Sequence, residues 1–129
     1  MKRILLIEDD YDLARSILLG IDLLKIHGLK KEVQYEGLKA LDRIQSPPPP
    51  HLLILDMHLP NLAGQDIYVA VRNEIPDCRI IIVTADVRLV REIQAREGDW
   101  QTLPPPDDVF AKPFSLSEFL EAVKNLVMA

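Results

Sequence analysis

The chain has 129 residues, the size of one domain built around one hydrophobic core. Hydrophobic residues make up 48% and charged residues 27%, an ordinary globular balance, and no apolar run approaches the roughly 20 residues that a membrane-spanning helix needs. The formal net charge of −5, with Lys30-Lys31 the one adjacent basic pair after the start, argues against a grip on phosphate backbones, so direct nucleic-acid binding is not expected.

The amino-terminal apolar run ends at Glu8-Asp9-Asp10, too early for a signal peptide and without a small-residue cleavage site, so a cytoplasmic protein is expected. Ile4 to Ile7 reads as a strand buried on both faces. Leu13, Ile17, Ile21 and Leu24 follow at helical spacing. Glu32 to Tyr35 is a weaker strand, and Leu38, Leu41 and Ile44 give a short second helix. Beyond Pro47-Pro48-Pro49-Pro50, Leu52 to Leu55 is a strong strand that ends at Asp56. Ile67 to Glu74 reads as helix, and Cys78, the single cysteine, leads into the strand Ile80 to Val83 as a small buried residue; one cysteine fits a reducing compartment. That strand ends at Thr84. Val87 to Glu97 is helical, with Gly98 as its stop. Val109 to Ala111 is a short fifth strand followed by Lys112-Pro113, and Ser115 with Glu118 opens the last helix as a capping box.

Five strands alternating with five helices predict an α/β fold: a doubly wound, five-stranded parallel sheet, for which one common order is 2-1-3-4-5. In that flavodoxin-like order ligands gather at the carboxyl edge, where the pattern sets Asp9 and Asp10, Asp56, Thr84 and Lys112. Clustered carboxylates repel unless a cation joins them, and a small oxygen-lined site suits Mg²⁺, with Mn²⁺ as a substitute. With a metal in place, one carboxylate can attack phosphorus while Lys112 and the Thr84 hydroxyl hold the phosphoryl oxygens.

Asp9-Asp10, Asp56-Met57-His58-Leu59-Pro60 with Gly64, Thr84-Ala85 and Lys112-Pro113 together resemble the receiver domain of two-component response regulators. The resemblance spans essentially all of residues 1–129, read as a single receiver domain. It implies that Asp56 is the phosphoacceptor and that Asp9 and Asp10 supply metal-binding acids, joined by Asp56 and the main-chain carbonyl of His58. It also implies Thr84 and Lys112 as switch hydroxyl and phosphate-binding lysine, Phe110 as the switch aromatic, and a cis bond before Pro113. The implied partners are a histidine kinase or phosphotransfer protein and a downstream protein target or output domain, with the face of the fourth helix, fifth strand and last helix used for output or for a phosphorylation-dependent homodimer. By the same resemblance the side chains of His58 and Asp86 line the site mouth and tune phosphoryl lifetime; two solvated loop residues are the plain reading.

Alternative functions are a receiver-shaped interaction module that is never phosphorylated and an Asp-nucleophile phosphatase, although the latter wants an acid where His58 stands. A dinucleotide-binding turn after the first strand is excluded by Glu8-Asp9-Asp10, which would repel pyrophosphate. The stretch from Gly98 to Asp108, with Trp100 and Pro104-Pro105-Pro106, is long for this position. It reads either as a rigid loop with Trp100 tucked against the fold or as a segment reshaping the output face. The four-proline run reads as a spacer rather than a ligand for an aromatic groove, and His27 and His51 as surface residues.

Overall fold

Strands that are apolar on both faces need helices on both sides, and alternate residues of this sheet feed two separate cores. The computed structural model describes residues 2–129. The elements are β1 (Lys2–Ile7), α1 (Tyr11–Leu23), β2 (Leu29–Gln34), α2 (Gly37–Ile44), β3 (Leu52–Asp56), α3 (Gly64–Glu74), β4 (Arg79–Thr84), α4 (Val87–Ala95), a 3₁₀ turn at Gly98–Gln101, β5 (Asp108–Ala111) and α5 (Leu116–Met128). All strands are parallel in the order β2-β1-β3-β4-β5, as the alternating pattern predicted. Ile4, Leu6, Leu52, Ile54, Ile81 and Val83 pack with α1 and α5 on one face. Leu5, Ile7, Leu53, Leu55, Ile80 and Ile82 pack with α2, α3 and α4 on the other. No helix among the described residues is long and apolar enough to cross a membrane.

The differences from expectation lie at edges. β2 begins at Leu29 rather than Glu32, and its Leu-Lys-Lys-Glu-Val-Gln sequence is half-buried, so charges mask a strand that pairs only with β1. α4 stops before Arg96, which takes a left-handed conformation (φ 59°) usually left to glycine, and Gly98 follows with φ +56°. Asp10 accepts from the Asp12 and Leu13 N–H groups and starts α1, and Ser115 Oγ accepts from Glu118 N–H at 3.3 Å to start α5. The Lys112–Pro113 and Pro47–Pro48 bonds are cis, and Pro50 at the end of its run is buried. His51 is exposed, with Nδ1 accepting from Arg3 N–H at 3.0 Å, and His27 is exposed as well. Cys78 is buried ahead of β4, and burial pushes its thiol up to about 12.

Trp100 is tucked inward at 1% exposure, its ring edge-on to Tyr68 of α3 with centroids 5.0 Å apart. The proline segment after it is tied to the same helix. Tyr68 donates its hydroxyl to the Pro104 carbonyl at 2.5 Å, and Arg72 donates to the Pro105 and Cys78 carbonyls. Asp107 closes the strap, accepting from Ile80 N–H at 2.7 Å and facing Arg72 at 3.6 Å. The indole therefore packs against α3 and shares its core with Ile93 of α4, while Pro105 and Pro106 line a shallow groove with α4 and β5. Trp100→Ala should cost about 3–5 kcal/mol of stability in urea unfolding, since a large buried ring is lost beside groups that cannot collapse onto its space; a cost below about 1 kcal/mol would show that the strap holds without it.

Candidate functional site

The site is assembled where strand ends meet at the carboxyl edge. Register pairs Ile7 with Leu55 across β1 and β3, so the residues just past β1 stand beside Asp56, the last of β3. Thr84, the last residue of β4, pairs with Ala111 of β5, which delivers Lys112 to the same edge. Lys112 N–H is held by the Thr84 carbonyl at 2.8 Å, so the side chain is launched from fixed backbone.

Asp56 is only 2% exposed, yet both of its oxygens are engaged. Oδ1 accepts from His58 N–H at 3.0 Å and Oδ2 from Lys112 Nζ at 3.1 Å. The same ammonium stands 2.7 Å from Glu8 Oε1. That contact is an ion pair without hydrogen-bond alignment, because Oε1 is buried with no hydrogen-bond partner; Oε2 accepts from Asp10 N–H. Carboxylate oxygens of Glu8, Asp9 and Asp56 all lie within 4.8 Å of one another.

Asp10, expected beside Asp9 as a metal-binding acid, is not in that group. Its carboxylate is occupied by the N–H groups of α1, and Glu8 takes its place. Sequence reasoning missed Glu8, although a signal was there: the acid immediately before a helix is the natural N-cap, which leaves the two acids nearer the strand for the site. Glu8 N–H still bonds to Gln34 O at 3.1 Å, continuing the sheet by one residue and turning its side chain to the edge.

Burial, followed by the neighbouring Asp56 carboxylate, lifts the Glu8 carboxyl to about 7, with Lys112 pulling the other way. Burial alone would lower Lys112, but its contacts with Glu8 and Asp56 outweigh that and leave it raised, so it is charged at neutral pH. Three clustered acids share one ammonium, which leaves excess negative charge in an all-oxygen set that a hard divalent cation fits.

Thr84 is fully buried, and its Oγ1 accepts from Asp86 N–H at 3.0 Å. Asp86 is half-buried and caps α4, its Oδ1 accepting from Leu89 N–H at 3.2 Å, so the sequence's lifetime-tuning candidate has a structural task. The His58 side chain is exposed beside the site. Phe110 is half-buried and packs on Phe119 and Phe114, with centroids 5.3 and 5.8 Å away. Gly64 starts α3 so close to the loop after β3 that a Cβ would lie 2.5 Å from Met57 Cα and 2.9 Å from Asp56 O. Only glycine lets α3 seat there.

Comparison with known proteins agrees with this geometry. The family described as the response regulator receiver domain matches residues 4–124. Response regulator MprA of Mycobacterium avium is 29% identical over 97% of the chain and 50% of its own length, and that of Mycobacterium ulcerans is 28% identical with the same coverage. The chain thus spans about half the length of these curated relatives. Among solved structures, the Francisella response regulator 1452 receiver domain superposes with a TM-score of 0.79 at 23% identity, covering 99% of this chain and 98% of that one. TrrA of Thermotoga maritima, determined with Mg(2+)-BeF, gives 0.74 at 28% identity over 98% and 99%. Such domains are signalling switches of two-component systems rather than enzymes in the ordinary sense. This chain belongs to the response regulator receiver domain family.

Proposed function

We propose that this domain is a phosphoryl-accepting switch in which Asp56 takes a phosphoryl group from a histidine kinase or phosphotransfer protein, acting on a downstream protein or output domain. The observation that carries the reading is the convergence on Asp56: a 2% exposed carboxylate meeting the Lys112 ammonium, with Glu8 and Asp9 within 4.8 Å. Glu8, Asp9 and Asp56, with the His58 carbonyl, would hold Mg²⁺, or Mn²⁺ in its place. The TrrA structure with Mg(2+)-BeF supports that choice. When bound, the ion offsets the charge of the acids and of the phosphoryl oxygens.

An Asp56 oxygen attacks phosphorus in line, the bond from phosphorus to the donor breaks, and Lys112 Nζ holds an oxygen of the new acyl phosphate. The acceptor's charge goes from −1 to about −2, which draws donors inward. Thr84 is the hydroxyl of the switch set. For Oγ1 to turn toward the phosphoryl group it must release Asp86 N–H, which loosens the start of α4. That release, with movement of Phe110 in its aromatic cluster, relays the change to the surface of α4, β5 and α5. His58 is the better candidate for tuning phosphoryl lifetime, because Asp86 is committed to its cap.

Intact-mass analysis after incubation with a small phosphodonor should show a gain of one phosphoryl group that needs Mg²⁺ and is absent in Asp56→Asn. No gain under any condition would leave the unphosphorylated interaction module as the reading. Dephosphorylation should change in His58→Asn, and equal rates would assign that side chain to bulk solvent. The raised carboxyl of Glu8 gives a pH signature with a definite sign. The folded state, with Glu8 near 7, holds the proton more tightly than an ordinary carboxyl at 4.5, so its contribution to stability is present below 4.5 and lost as pH rises through 7. A cation competes with that proton, so Mg²⁺ affinity measured by calorimetry should tighten by up to about tenfold per pH unit below 7 and flatten above it. Glu8→Gln should weaken binding and remove the slope; an unchanged slope would take Glu8 out of the metal set.

A further inference from the structure

Beside the acid cluster opens a cleft walled by two tyrosines. Tyr11, the first residue of α1, is 66% exposed, and its ring stacks on Tyr35, just past β2, with centroids 4.2 Å apart and planes 29° from parallel. Tyr35 packs against the core layer of α1 and α5, whereas Tyr11 belongs to neither core. Nor does α1 need Tyr11 to begin, since Asp10 already caps it. The fold therefore keeps a large aromatic side chain mostly in water, backed by a second ring and outside both cores.

The position of the cleft suggests its use. It has a volume of about 510 Å³ and is lined by both tyrosines together with Asp9, Glu36, Lys39 and Pro60. Asp9 is also one of the clustered acids, so the cleft opens directly beside the site. Asp56 lies at the buried floor, while Asp9 and Tyr11 are exposed at the rim. An in-line displacement keeps the leaving group on the side of phosphorus away from the attacking oxygen. A leaving group expelled by buried Asp56 therefore departs toward the exposed rim, and Tyr11 shares that rim with Asp9.

We propose that Tyr11, backed by Tyr35, is a specificity-determining residue for the phosphodonor, its ring stacking on a planar leaving group and so favouring phosphorylated imidazole over donors without a ring. The inference rests on Asp56 being the acceptor. In the transfer, an Asp56 oxygen forms the new bond to phosphorus as the phosphorus–nitrogen bond breaks. The bonding pair returns to the ring nitrogen, and a donor protonated on its other nitrogen leaves as neutral imidazole, so no further reactant is needed.

The test compares two small donors that both carry a phosphorus–nitrogen bond, N-phosphorylimidazole and phosphoramidate, with Mg²⁺ present and intact mass as the readout. Tyr11→Ala should slow transfer from phosphorylimidazole about threefold to tenfold, the range expected for one aromatic pair, and leave transfer from phosphoramidate unchanged. Tyr11→Phe, which keeps the ring, should restore the wild-type ratio of the two rates. A ratio unaltered in Tyr11→Ala, whether both rates fall together or neither does, overturns the proposal. Failure of wild-type Asp56 to react with either donor would overturn the acceptor reading itself, and this inference with it. Because Tyr11 is exposed and outside both cores, its removal should lower the unfolding midpoint by no more than the loss of one aromatic pair, and a two-state transition separates a lost stack from a lost fold.

Discussion

One lysine among three acids sets the terms for the carboxyl edge of this sheet. Lys112 Nζ lies 2.7 Å from Glu8 and 3.1 Å from Asp56, and both acids are almost wholly out of water. Removing the ammonium would leave buried like charges facing one another, a penalty that opposes folding unless a proton or a cation replaces it. The strand order is what makes the meeting possible. β1 and β3 are neighbours and bring Glu8 beside Asp56, while β5 lies two strands from β3 and needs a long side chain to reach across. Lysine supplies that reach, and its launch point is fixed by the Thr84 carbonyl.

The same economy fixes the Asp56 carboxylate. One Asp56 oxygen is held by the His58 N–H and the other by Lys112, so the carboxylate has little freedom to turn. The loop that presents His58 runs so close to α3 that Gly64 admits no side chain. Rigid backbone on one side and a paired charge on the other hold the group in one orientation, which is what a nucleophile in an in-line displacement requires.

How much of this could be read from the sequence follows from what each residue has to do. The central strands were plain because both faces are apolar, and their ends placed Asp56 and Thr84 at the carboxyl edge, while Lys112 follows the edge strand β5 and drew its reading from the residues it would join there. β2 was clipped because an edge strand tolerates Lys30, Lys31 and Glu32, which hide its period. Three consecutive acids are harder: residue type alone does not say which two enter the site, and the helix start claims Asp10. Trp100 is harder still. Its partner Tyr68 is 32 residues away in sequence (100 minus 68), and no local pattern links them.

The two ends of α4 are held by different means, and that asymmetry bears on how a signal would travel. Its first turn hangs from the site through a short chain of bonds, Asp86 N–H to Thr84 Oγ1 and Leu89 N–H to Asp86 Oδ1. Beyond its last turn, Trp100 N–H bonds to the Glu97 carbonyl, and the indole shares one core with Ile93 of α4 and Tyr68 of α3. A bond to a hydroxyl is exchanged at a cost of about 1 kcal/mol, whereas displacing a buried indole costs several. A rearrangement at Thr84 would therefore pivot the start of α4 while its far end stays fixed to α3. Movement would concentrate on the first turn of α4 and on the neighbouring β5, where Phe110 rests on α5, and the proline strap would act as the anchor against which they turn.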